Sequence, residues 1–182
     1  MKLFQKFPGF GVKPQGFDLH AFVVKYEGIF VKNKLDESIC AEGTPNKMTK
    51  NEIMEILPHR PPMLLIEEGE LADGVSICRY TIKGDEFFLQ GHFPGNPVVP
   101  GVIQCEMMAQ ASCFLVGKKD NNVTPYFTGM EKVRFKKKVV PGDCITLKSE
   151  LVKQKGAFYF VKCSGEVMGE ICCTAEISFA LM

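Results

Sequence analysis

The sequence predicts an α+β domain, and three observations predict it. One apolar segment, Val102 to Val116, runs without glycine or proline and suits a helix better than a strand. Segments that alternate apolar and polar residues follow it, the clearest being Ile171 to Leu181. Short turn signals separate them, Pro141-Gly142 and Lys155-Gly156, so the strands form an antiparallel meander. A helix that is apolar nearly all round needs cover on every side. The physical solution is a curved antiparallel sheet wrapped around one long central helix.

The bulk properties fit that picture. A chain of 182 residues with 46% hydrophobic residues suits one domain plus an appendage. A net charge of +1 excludes a chain-wide polyanion binder, so any charged partner must meet a local patch. No apolar run approaches the ~20 residues that span a bilayer. Eight cysteines occur with no Cys-x-x-Cys pair and only three histidines, so no zinc spacing is present. Cys105, Cys113 and Cys173 sit in apolar stretches, where thiols behave as small hydrophobes, and the expectation is reduced cysteines in the cytoplasm.

Residues 1–47 carry Phe, Gly and Lys in no helical or strand period, and are expected to be an irregular extension. They hold no apolar run of about 7–15 residues, the core of a signal peptide. Acids are sparse before Asp18, as in transit peptides, but no Arg precedes Arg60 and no Ser precedes Ser38. The domain is read as 48–182. Thr49-Lys50-Asn51-Glu52 is a capping box, and Pro58 stops the short helix that it opens. Met63 to Glu67 reads as a strand, and Val75 to Ile82 as another between Gly74 and Gly84. Phe87-Phe88-Leu89 reads as a short turn packed on the core. After the central helix, Lys118 to Asn122 is a polar exit loop. Tyr126 to Val139 is a long strand broken near Gly129. Cys144 to Gln154 and Ala157 to Cys163 are the next two strands. In the last, Ile171, Cys173, Ala175, Ile177, Phe179 and Leu181 share one face.

The stretch from Gly91 to Gln110 organises the rest. Its first half is a stiff loop with three prolines, Pro94, Pro97 and Pro100; its second half is the start of the apolar helix. His92 on the loop and Glu106 in the helix are titratable groups in this dry setting. His92-Phe93-Pro94-Gly95-x-Pro97, then Pro100-Gly101-Val102, Glu106 and Met108-Ala109-Gln110, resemble the FabZ-type 3-hydroxyacyl-acyl-carrier-protein dehydratases. Leu57-Pro58-His59-Arg60-Pro61-Pro62-Met63-Leu64-Leu65 is similar to the family's opening. Tyr126 to Met130, Val133-Arg134-Phe135 and Val140 to Asp143 are similar to its later strands. The likeness runs from about Met48 to Met182. It implies the hotdog fold, a place in fatty-acid elongation, and dehydration of (3R)-3-hydroxyacyl-acyl-carrier-protein to the trans-2-enoyl product. It implies no cofactor and no metal.

That reaction needs a base for the C2 proton and an acid for the departing C3 hydroxyl. A neutral imidazole suits the first task and a protonated carboxyl the second. The resemblance assigns His92 and Glu106 to these positions. Apolar neighbours, Cys105, Met107 and Met108, are expected to raise the Glu106 pKa. The resemblance gives Gly101 the thioester oxygen: its N–H lies in the first helical turn, at the positive end of the helix, and a glycine lets substrate approach closely. His59 and Arg60 are read as structural or interface residues, and His20 receives no role. Arg134, Lys136 and Lys138 alternate along their strand with Lys137 opposite, the pattern of a solvated face or of a docking face for the small acidic carrier protein. The patch is too short for nucleic acid.

Asn96 stands where the family often has His, and Cys105 where an aliphatic is frequent. Glu rather than Asp at position 106 favours a dehydratase over the related dehydratase/isomerase. Competing functions are that isomerase, an acyl-thioester hydrolase on the same fold, and a non-catalytic acyl-binding regulator. A sheet covering one helix leaves an edge strand and one helix side uncovered, so a two-fold homodimer is expected. The resemblance places His92 of one chain beside Glu106 of its neighbour, often in a trimer of such dimers.

Overall fold

The computed structural model describes residues 47–118 and 123–182. The expectations for 1–46 and for most of the exit loop after Lys118 lie outside the described residues. Helix α1, Lys50–Ile56, opens on the expected capping box. The Glu52 N–H donates to Thr49 Oγ1 at 3.3 Å, and the Thr49 N–H donates to Glu52 Oε2 at 2.6 Å. Arg60 turns back on the helix end, donating from Nη1 to Leu57 O (2.9 Å) and from Nη2 to Met54 O (3.2 Å). A cation on the last carbonyls satisfies groups that a helix end leaves unpaired, so the structural reading of Arg60 holds.

Met63 to Glu67 is not a strand, contrary to the sequence expectation. Leu64, Leu65 and Ile66 are buried, which explains the apolar run. Their neighbourhood is tied to a side chain rather than to a second strand: Leu65 N–H donates to Gln110 Oε1, and Gln110 Nε2 donates to Met63 O. The strand begins later, as β1, Glu68–Ala72, and turns through Asp73-Gly74 into β2, Val75–Thr81. Both turn residues have positive φ, 51° and 78°, as a tight two-residue hairpin requires.

A 3₁₀ turn at Phe87–Leu89 buries Phe88 and Leu89, as the sequence predicts. Helix α2, Gly101–Cys113, follows the proline-rich loop and ends three residues before the expected Val116. Then come β3 (Pro125–Phe135), β4 (Cys144–Lys155), β5 (Phe158–Val167) and β6 (Glu170–Leu181). The six strands form one antiparallel sheet in the order β1-β2-β4-β5-β6-β3. This is the hotdog arrangement. β3 is shorter than the sequence predicts, and its register shifts between Phe127 and Gly129, where the sequence predicts a break.

The sheet covers α2 through β2, β4, β5 and β6, and the core is continuous across them. Met107, Met108 and Ala111 are fully buried on the helix, against a sheet face that contributes Leu147, Val161, Cys173 and Ile177. Polar bonds fix the last turn of the helix. Ser76 Oγ donates to Ala111 O at 2.8 Å, and Ser112 Oγ meets Ser149 Oγ at 3.1 Å. The cover is incomplete at one place: Val102, in the first turn of α2, is 69% exposed. The β3 edge also exposes Tyr126, Phe127, Met130 and Phe135. Among the described residues no helix is long and apolar enough to cross a membrane, and Cys78, Cys105, Cys113, Cys163, Cys172 and Cys173 are thiols.

Candidate active site

His92 is placed by the turn before it and the loop after it. Its N–H donates to Leu89 O at 3.2 Å, and its carbonyl accepts from Val98 N–H at 2.9 Å. The ring is fixed by a 2.8 Å bond between Nδ1 and Val98 O. A carbonyl only accepts, so Nδ1 carries the proton and the Nε2 lone pair is left free. Phe93 stacks on the imidazole, with ring centroids 4.1 Å apart. Val99 N–H donates to Val139 O at 2.8 Å and anchors the far end of the loop. An imidazole held in this tautomer is equipped to accept a proton at Nε2.

Gly101 is the first residue of α2, with Pro100 as its N-cap. The Pro100 carbonyl receives the Ile103 and Gln104 N–H groups, while the Gly101 N–H falls among the first-turn donors that a helix leaves unpaired. The close approach expected of substrate at this glycine is taken by a side chain. A Cβ added at Gly101 would lie 2.6 Å from Phe135 Cζ. Phe135 is half-exposed at the end of β3, so within the single chain the glycine admits an aromatic ring.

Glu106 lies on the less buried side of α2. Its Oε1 accepts from Gln110 Nε2 at 2.9 Å and sits 3.3 Å from His59 Nε2. These contacts correct the expected pKa. The bond from His59 holds the Glu106 carboxyl below its ordinary value; burial pushes the other way, and the Gln110 bond and the His59 charge add to the lowering. The reason is helical geometry. Met107 and Met108 are adjacent in sequence but point into the core, whereas the residue beside Glu106 on its own face is Gln110, four positions on. Cys113, farther along the helix, feels the Glu106 charge, and burial first of all pushes its thiol up to about 12.

No ion pair or hydrogen bond joins His92 to Glu106 within the chain: the first bonds inside its loop, the second bonds His59 and Gln110. Arg134, Lys136 and Lys138 are all exposed. β3 ends at Phe135, so Lys136 and Lys138 follow the strand rather than alternate along it. Arg134 Nη1 donates to Val133 O, and Lys137 pairs with Glu170 at 2.7 Å. Among the described residues, no cluster of three His, Cys, Asp or Glu side chains could hold a metal ion.

Two polar residues beside Glu106 escaped the sequence reading as parts of the site. Gln110 had a visible signal, its spacing of one helical turn from Glu106. His59 comes from a distant loop, and nothing local in the sequence pairs it with Glu106.

Comparison with known proteins bears on this geometry. The family model of the ApeI-like dehydratases matches residues 70–174. The 3-hydroxyacyl-acyl-carrier-protein dehydratase FabZ of Clostridium perfringens is 43% identical over 137 residues, covering 74% of this chain and 99% of the relative. The enzyme of the same name from Caldicellulosiruptor saccharolyticus is 44% identical, covering 71% of this chain and 95% of its own. Among solved structures, the dehydratase heterocomplex ApeI:P from Xenorhabdus doucetiae matches with a TM-score of 0.64 at 22% identity, over 72% of this chain and 91% of that one. An uncharacterised protein from Pyrococcus horikoshii matches with a TM-score of 0.53 at 17% identity, over 67% of this chain and 87% of that one. These last two likenesses concern the fold alone.

Proposed function

The chain belongs to the FabZ-type 3-hydroxyacyl-acyl-carrier-protein dehydratases, and we propose that it dehydrates its substrate with His92 as base and Glu106 as acid. The His92 Nε2 lone pair takes the C2 proton. The electron pair of that C–H bond forms the C2=C3 double bond as the C3–O bond breaks. The hydroxyl leaves as water with a proton from Glu106. Charge that gathers on the thioester oxygen meets the Gly101 N–H, and one such donor can lower a barrier by roughly 2.7–4 kcal/mol. The observation that carries this reading is the 2.8 Å bond from Nδ1 to Val98 O, which leaves His92 Nε2 free to accept.

The site is complete only in a dimer in this reading. His92 and Glu106 do not touch within one chain, and the start of α2 and the β3 edge expose Val102, Tyr126 and Met130. A two-fold partner would cover that apolar surface and bring its own His92 loop to Glu106. Excluding water from the carboxyl would also oppose the lowering by His59, toward the protonated form that an acid needs. A trimer of such dimers is the higher assembly. The substrate arrives on an acyl carrier protein through a phosphopantetheine thioester, and Arg134, Lys136 and Lys138 supply the docking charge. The domain spans 48–182, and a reducing cytoplasm suits buried thiols such as Cys78, Cys105 and Cys113.

Hydration of a crotonyl thioester, followed by loss of enoyl absorbance, tests the function. Turnover by the native chain and its loss in both His92→Ala and Glu106→Gln are expected. Undiminished turnover in either variant would remove that residue from the chemistry.

A further inference from the structure

We propose that His59 is a positioning residue for the dehydration: with Gln110 it holds Oε1 of Glu106, so that Oε2 is the oxygen that meets the substrate hydroxyl. The inference rests on the reading of Glu106 as the acid. His59 follows α1 and Pro58 on a loop that is fixed from both ends. Arg60 binds the His59 carbonyl at 2.7 Å and the end of α1, and Gln110 binds Met63 O and Leu65 N–H. The imidazole is half-buried and its Nε2 lies 3.3 Å from Glu106 Oε1. Its other nitrogen, Nδ1, is buried, with no hydrogen-bond partner among the described residues. A histidine kept only for packing would satisfy its buried nitrogen, because an unpaired one costs free energy. Among the described residues the single polar contact of the ring is the carboxyl.

The same contact divides the two oxygens of Glu106. Oε1 accepts from the Gln110 amide at 2.9 Å and faces His59 Nε2 at 3.3 Å, and among the described residues Oε2 has no partner. A proton on Oε1 would meet those donors head-on, so the acidic proton belongs on Oε2. When Glu106 gives that proton to the leaving hydroxyl, the two donors stabilise the carboxylate that remains. The groups that act on Glu106 are thus His59 and the neutral amide of Gln110, with the Cys113 thiol uncharged at working pH.

Two substitutions separate this role from a structural one. In His59→Gln the amide nitrogen falls near the position of Nε2 and can still donate to Oε1. In His59→Asn it falls near Nδ1 and cannot reach. Dehydration of a 3-hydroxyacyl pantetheine thioester is followed against pH, with thermal melting alongside. The Asn variant should lose about 10- to 100-fold in kcat, the scale of a misplaced reacting group, with KM within about twofold. Without the donor the Glu106 carboxylate is less favoured, so the limb on which activity falls as pH rises should move to higher pH. The Gln variant should restore both rate and limb. Equal behaviour of the two variants, whether both are active or both impaired, overturns the proposal. Activity surviving in Glu106→Gln would instead overturn the reading of the acid on which it rests.

Discussion

Replacing Gln110 by Met tests how the loop of His59 is joined to the helix of Glu106. Methionine has nearly the volume of glutamine, so the change removes hydrogen bonds and leaves little cavity. Three bonds go: Leu65 N–H to Oε1 at 2.9 Å, Nε2 to Met63 O at 2.8 Å, and Nε2 to Glu106 Oε1 at 2.9 Å. Leu65 is fully buried, so its N–H is left without water or partner. Met63 is 38% exposed, and its carbonyl can recover a water. A buried unpaired backbone group costs about 1–3 kcal/mol, so the variant should lose about 2–4 kcal/mol. That is a large share of a domain stability of about 5–15 kcal/mol. Urea unfolding measures it as a lower midpoint at unchanged slope. Turnover should fall as well, because Glu106 loses one of its two donors. A loss below about 0.5 kcal/mol, the range of ordinary surface substitutions, would refute the argument.

Other outcomes follow from the same geometry. Reversing Arg134, Lys136 and Lys138 to Glu should weaken turnover of carrier-protein substrates and spare small thioesters, an effect that fades as salt screens charges over about 10 Å at 0.1 M; equal loss on both substrates would mean a different docking face. A chain started at Met48 should fold and turn over, since the capping box at Thr49 and the bond from Met48 N to Gly69 O lie within it; an insoluble or inactive product would make the extension structural. Glu106 has a depressed pKa in the folded chain, so its contribution to stability is present above the ordinary value of 4.5 and lost as pH falls through the lower folded value. The difference in urea midpoint between the native chain and Glu106→Gln should therefore change on acidification below that value, and a difference constant with pH would contradict the His59 contact.

Much of the fold was legible because local patterns and tertiary structure agree. The α2 segment has the length and apolarity of a buried helix, Thr49 and Glu52 form their box, and Lys155-Gly156 marks the β4–β5 hairpin. The failures have physical causes. The apolar run at Leu64 to Ile66 mimics a strand, but its neighbouring backbone is satisfied by the Gln110 side chain. β1 is a short edge strand carrying Glu68 and Glu70, and edges are kept polar, so it lacks the apolar alternation of a strand. β5 continues past Cys163 through Gly165, where a Cβ would lie 2.6 Å from Cys173 Sγ; the glycine that interrupts the strand pattern permits the packing. In the site, the His92 loop and Glu106 were readable from one contiguous motif. The His59 contact and the lowered carboxyl pKa were not, since both depend on a loop far away in sequence.

The most direct test of a site shared between chains is complementation. His92→Ala and Glu106→Gln proteins, each inactive alone, are mixed in equal amounts under conditions that exchange subunits, with exchange verified by mass. Random pairing makes about half of the dimers mixed, and one of the two sites in each keeps both native residues, so about a quarter of native activity should return. If mixed dimers form and no activity returns, His92 and Glu106 act within one chain and the shared site is wrong.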